Sequence, residues 1–322
     1  MFFLKKSNDL GKDEVFRYNS HKIREPFLIN RNFYSEVDFL EIFSKAIEPS
    51  NRTKNKYYLI QSLHGSGFGY SHKVIGNNIS SLYAYNYSKV PFNFEFVLQN
   101  ICFSSNIEDL NFWNLKTKYI IISPYLTTHN FIKIDDLITT IINPENTYLN
   151  VFNEYINFCS KTYQHSSLGI ESSSAFLIDL SKIDFLLISN FFEALNSIIE
   201  SNSKHNPAWL LNYFKYRKFE DTGVNVQMMD FLDFIKVIDE PTLTEYIRQI
   251  NISINSSING TKWIGKKTNK FNIFNGITIF LPKNGHVNLN IFYLSFYNSI
   301  NTSNHSDLTK NINKFIMLLP TP

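Results

Sequence analysis

The chain has 322 residues, 43% of them hydrophobic and 18% charged, and its 31 basic and 28 acidic side chains leave a net charge of +3. A chain of this length buries enough surface to fold without metals or disulfides, and its 2 cysteines build neither a disulfide framework nor a cysteine-rich zinc site. The near balance of charge argues against a dedicated nucleic-acid binder, while 11 glycines, 10 prolines and 16% aromatic residues exclude collagen-like and wholly disordered chains.

Residues 1–31 read as polar and irregular, with a short strand at Phe27-Leu28-Ile29. Apolar residues at Val37, Phe39, Leu40, Ile42, Phe43 and Ile47 have helical spacing over Tyr34 to Ile47. The run Tyr57 to Leu63 is a strand stopped by the turn His64-Gly65-Ser66-Gly67. A second strand, Phe94 to Leu98, leads into Asn100-Ile101-Cys102, and a helix started by Ser or Asn fits between Ser104 and Leu115. Tyr119 to Ile122 is a third strand and Ala175 to Ile178 a fourth, flanked by helices at Phe152 to Tyr163 and Ser181 to Ile199. Asp230 to Ile238 and Leu243 to Ile258 read as helices, and Ile277 to Leu281 and Phe292 to Tyr297 as late strands. Strands alternating with helices predict an α/β sheet with helices on both faces.

No run reaches the ~20 apolar residues of a membrane span, because Asp179, Lys182 and Asp184 interrupt the most apolar stretch, Ala175 to Phe192. At the N-terminus the apolar residues Phe2-Phe3-Leu4 precede Lys5 and Lys6, the reverse of a signal peptide. The expected location is therefore cytoplasmic, or secreted by a route that needs no signal peptide.

Chemistry in open α/β sheets gathers beyond the carboxyl ends of the strands. His64 and Cys102 each follow such a strand. If the two strands are parallel neighbours, a thiol and an imidazole emerge on one edge, as a nucleophile and its base require. A helix starting just after Cys102 would favour its thiolate, and the N–H groups of Gly65 and Cys102 would serve as an oxyanion hole. The same residues read equally as a plain turn and a small buried hydrophobe, and spacing alone does not choose. The glycine-rich turn Gly65 to Gly69 lacks the Lys-Ser/Thr of a P-loop. The remaining histidines have no metal-ligand spacing, and Cys159 sits on the apolar side of its helix.

Taken together, Tyr58-Leu59-Ile60-Gln61-Ser62-Leu63-His64-Gly65-Ser66-Gly67 resembles the strand and His-Gly-Ser-Gly turn of clostripain-like cysteine peptidases. Asn100-Ile101-Cys102-Phe103-Ser104-Ser105-Asn106-Ile107-Glu108 resembles their Asp-Ala-Cys-Leu-Met stretch. Lys118 to Ser123, Phe176 to Asp184, Asp230 to Phe234 and Gly276 to Pro282 are similar to later segments of that family, in the same order. The resemblance implies a caspase-like α/β/α sandwich with a mainly parallel central sheet. It implies a peptidase core over residues 1–200 and a C-terminal extension over 201–322 packed on that core. It also implies a cysteine endopeptidase without cofactor or metal, acting on peptide or protein substrates rather than nucleic acid or membrane. Cys102 would attack the scissile carbonyl, His64 would transfer protons, and self-cleavage would fall between the two strands, where Lys73 and Lys89 lie.

Three departures matter. The family's acidic residue two before the cysteine, which binds a basic P1 side chain, is Asn100, and a neutral amide removes the charge-assisted pairing that selects Arg or Lys. The wall after the third strand is Ser123-Pro124-Tyr125 in place of Ser-Glu-Glu. The family's opening strand is not found, so that edge of the sheet is either missing or rebuilt by residues 1–31. These departures motivate the alternative of a catalytically inactive, caspase-like interaction protein, such as a bacterial effector.

Overall fold

Hydrophobic patterning divides the chain into strands that read as near-continuous apolar runs and helices with one apolar stripe. A computed structural model describes residues 2–5, 13–18, 24–31, 56–63, 72–75, 78–81, 84–124, 127, 134–163, 172–201, 228–265, 276–281 and 307–319. The helix expected over Tyr34 to Ile47, the late strand at Phe292 to Tyr297, and His64 and Gly65 lie outside these residues.

Five strands form the central sheet: β4 (Tyr58–Leu63), β7 (Phe96–Ile101), β8 (Tyr119–Ile122), β9 (Ser172–Asp179) and β11 (Ile258–Gly265). Their order is β11-β9-β8-β7-β4. β4, β7 and β8 are parallel, while β9 runs antiparallel to both β8 and β11, so four of the five strands point the same way. Parallel pairing demands crossover helices, which is why both faces are covered and why β7 is buried at all six positions.

Side-chain alternation sorts the core into two layers. On one face Val97 and Ile101 of β7, Ile120 and Ile122 of β8, and Phe176 and Ile178 of β9 form a cluster with four helices. These are α2 (Ile107–Asn114), α5 (Phe185–Ser201), α7 (Thr244–Ser257) and α8 (Asp307–Leu318), with the shorter α1 (Ala84–Ser88) and α6 (Phe231–Lys236) beside them. On the other face Phe96, Leu98, Ile121 and Leu177 pack against α3 (Ile134–Ile142) and α4 (Tyr148–Tyr163). This is an α/β/α sandwich. Among the described residues no helix is long and apolar enough to cross a membrane.

The strand expected at Phe27-Leu28-Ile29 lies inside a longer one, and two further strands precede it where irregular chain was expected. β1 (Phe2–Lys5), β2 (Asp13–Tyr18) and β3 (Arg24–Arg31) form an antiparallel sheet, paired only with one another among the described residues. They do not rebuild the edge of the central sheet, where β4 is the outermost described strand. Alternation in Asp13–Tyr18 is short and interrupted by register shifts, which is why periodicity did not reveal it. β5 (His72–Ile75) and β6 (Asn78–Ser81) make a separate antiparallel pair between β4 and β7 in the chain. β11 was also unexpected: it follows α7 at once, and the polar Asn259, Thr261 and Lys262 hide an edge strand.

The late strand expected at Ile277 to Leu281 is β12 (Thr278–Phe280), and it pairs with β10 (Met228–Asp230) as a two-stranded ribbon outside the central sheet. Gly276 opens the ribbon at φ +109, and a Cβ there would lie 2.6 Å from Cδ1 of Phe176. Gly276→Ala therefore combines a left-handed backbone with overpacking, and we expect it to cost about 2–4 kcal/mol in chemical denaturation.

Candidate active site

The site is built at the carboxyl edge of β4 and β7. Their register pairs Gln61 with Gln99, Ser62 with Asn100 and Leu63 with Ile101. Buried Gln99 donates an amide hydrogen to Oε1 of Gln61 at 3.1 Å, and Gln61 in turn donates to the Tyr87 hydroxyl on α1. A one-residue slip would break this buried chain as well as turn each apolar side chain to the wrong face, so the two strand ends are fixed level with each other.

Cys102 is the first residue after β7 and begins the turn 102–105 that leads into α2. Phe103 adopts φ 56, a left-handed conformation that a bulky aromatic residue holds only when its surroundings impose it. Two serines impose it: the Ser104 N–H donates to the Ser123 carbonyl at 2.8 Å, and the Ser123 N–H donates to Oγ of Ser104 at 3.0 Å. The turn is a sharp strand-to-helix connection that lifts Cys102 to the top of the sheet.

Cys102 is only 6% exposed. The N–H of Thr127 donates to Sγ at 3.3 Å, and the Thr127 carbonyl and hydroxyl lie 3.9 and 3.8 Å away. Burial pushes the thiol above its ordinary value, and the Thr127 contacts oppose this without winning. The expected lowering by the following helix is not what the structure gives. α2 begins at Ile107, and its amino end is already served by Asn106, whose side chain accepts from the N–H of Glu108 at 3.2 Å. Glu108 and Asp109 place two acidic residues in the same first turn. Because only the thiolate reacts, alkylation of Cys102 by iodoacetamide in this state should be slow at neutral pH and should still be climbing at and above the normal thiol range. Rates measured against pH, read at Cys102 by peptide mass spectrometry, check this.

Asn100 and Ser123 stand two residues beyond the paired Leu98 and Ile121 of β7 and β8, and both are buried at 1% exposure. Tyr155 of α4 donates its hydroxyl to Oδ1 of Asn100 at 2.8 Å. Burial holds the Tyr155 phenol well above its usual range, with Cys159 as a further cause. Cys159 itself is buried in the second core layer, as its helical spacing suggested. The structure thus gathers Cys102, Asn100 and Ser123 at one strand edge, whereas His64 and Gly65 fall outside the described residues. Thr127 and Tyr155 carry no sequence signal. One lies in a loop and the other matches an apolar helix face.

Among the described residues no group of His, Cys, Asp and Glu is arranged to hold a metal ion. No protein-family model matches the sequence, and no curated protein matches it. Solved structures do. A secreted C11 cysteine protease from Bacteroides thetaiotaomicron, solved with an irreversible peptide inhibitor, superposes with a TM-score of 0.63 at 11% identity, covering 94% of this chain and 89% of that one. A second structure of a secreted C11 cysteine protease from that organism, called iotapain, gives 0.57 at 14% identity over 87% and 82% of the two chains. An inactive zymogen C11 protease from Parabacteroides distasonis gives 0.61 at 14% identity over 97% and 87%. The sandwich, the parallel β4–β7–β8 order and these superpositions lead to one conclusion: the chain has the fold of the C11, or clostripain-like, cysteine proteases.

Proposed function

We propose that the chain is a cysteine endopeptidase in which Cys102 is the nucleophile and His64 its base. The carrying observation is the in-register pairing of Leu63 with Ile101 on parallel neighbours, because His64 and Cys102 are the residues that follow them in sequence. In this reading His64 takes the thiol proton, Sγ attacks the scissile carbonyl carbon, and the tetrahedral oxyanion is held by the N–H groups of Gly65 and Cys102. His64 then returns the proton to the leaving amine, and water releases the acyl group from sulfur.

Asn100 and Ser123 form the P1 pocket in this reading. Asn100 is neutral and its side-chain oxygen already accepts from Tyr155, so we expect uncharged or polar P1 residues in place of Arg or Lys. Cleavage of a P1-diverse peptide library by wild type and Cys102→Ala tests both claims. Asn100→Asp should move the preference toward Arg and Lys by about tenfold or more in kcat/KM, the size of one charge-assisted pairing.

One observation favours a second reading, a binding protein that keeps the fold without the chemistry: Thr127 covers the Cys102 thiol. Absence of cleavage across the library, with no labelling of Cys102 by a peptide electrophile, would establish it.

A further inference from the structure

The turn that carries Cys102 is held from a segment 173 residues further along the chain. The Thr278 N–H donates to the Ser105 carbonyl at 2.9 Å, and the Thr278 and Ser105 hydroxyls are 3.0 Å apart. Asn106 and Thr278 form a bridge at the same place. Ser104, Ser105, Asn106 and Thr278 are all at 0% exposure, so water cannot replace a lost contact. Thr278 is in turn fixed by the ribbon. Asp230 is its partner on β10, and the N–H of Phe231 donates to the carbonyl of neighbouring Ile277 at 2.9 Å. On the opposite side the turn is tied, through Ser104, to Ser123 just beyond the end of β8. The left-handed Phe103 directly precedes these two ties and directly follows the thiol-bearing residue.

We propose that Thr278 is a positioning residue for the nucleophile: through Ser105 its hydroxyl holds the turn 102–105 in the conformation that aims Sγ of Cys102. The proposal rests on Cys102 being the nucleophile. It makes the C-terminal ribbon part of the catalytic apparatus, although Thr278 touches neither substrate nor the reacting sulfur.

Three variants test it. Thr278→Val keeps the shape and the backbone bond but removes the hydroxyl, Thr278→Ser keeps the hydroxyl, and the double variant Ser105→Ala/Thr278→Val removes both hydroxyls and leaves neither orphaned. Peptide-cleavage kcat and KM, the pH profile of iodoacetamide alkylation at Cys102, and the thermal midpoint are measured for each. Thr278→Val should lower kcat by about tenfold or more with KM within about twofold, since small misplacements of a reacting group act on the chemical step. Thr278→Ser should restore kcat to within about threefold, and the double variant should recover the thermal midpoint but not kcat or the alkylation profile. Recovery of kcat together with stability in the double variant would overturn the proposal, as would wild-type kcat and alkylation in Thr278→Val. If wild type cleaves no peptide, the peptidase assignment fails by itself. The alkylation profile then decides the positioning claim: a shifted profile in Thr278→Val supports it and an unchanged one refutes it.

Discussion

Cys102→Ala is expected to lower kcat/KM for the best peptide by about four orders of magnitude or more, and His64→Ala by at least about three. The asymmetry follows from chemistry. Without sulfur there is no acyl-enzyme path, whereas without the imidazole a small thiolate fraction still attacks, and burial makes that fraction smaller here than for an exposed thiol. The double variant should be no worse than Cys102→Ala alone, since groups that act as a unit are not additive. Cys102 is nearly enclosed, so Cys102→Ala also removes some packing, and its thermal midpoint must be measured beside wild type. Equal activity in wild type and Cys102→Ala would refute the nucleophile assignment.

Phe192→Ala should destabilise the fold by about 4 kcal/mol, read as a shift of the denaturation midpoint without a change in slope. Phe192 on α5 is fully buried, and its ring centroid lies 5.3 Å from Phe191, 6.3 Å from Phe231, 6.2 Å from Phe234 and 5.6 Å from Phe315. Truncation leaves a cavity where α5, α6 and α8 meet, and stiff neighbouring rings cannot collapse into it. Because α5 ends at Ser201 and α6 and α8 come after it, the variant also measures how tightly the C-terminal part is joined to the rest. A loss below about 1 kcal/mol would mean that these helices are only loosely docked.

Much of this was legible in the residues. Tyr119 to Ile122 is a strand with the bounds its apolar run predicts, and Asn106 starts α2 as its side chain allows. The strand ahead of Cys102 proved longer than its apolar run, because buried Gln99 and Asn100 continue it where hydrophobicity alone suggests a stop. Gln99 donates to Gln61 and Asn100 accepts from Tyr155, partners distant in sequence that no local pattern exposes. The same holds for Thr127 and Thr278. Each is an ordinary threonine until the fold brings it to Cys102 or to the turn behind it. The helix end does not act on the thiol as its spacing suggests, since the turn 102–105 and the cap at Asn106 separate the sulfur from the amino end of α2. β1 and β2 escaped because their alternation is short and irregular, whereas the strand expected at Phe27-Leu28-Ile29 lies inside β3.

The central claim is that the thiol of Cys102 and the imidazole of His64 converge over one strand edge. A crystal structure of the chain after reaction with a peptide-derived thiol electrophile tests it most directly. The expected result is a covalent bond from the inhibitor to Sγ of Cys102, with an imidazole nitrogen of His64 within about 4 Å of that sulfur. An unmodified Cys102, or a His64 ring on the opposite edge of the sheet, would contradict it.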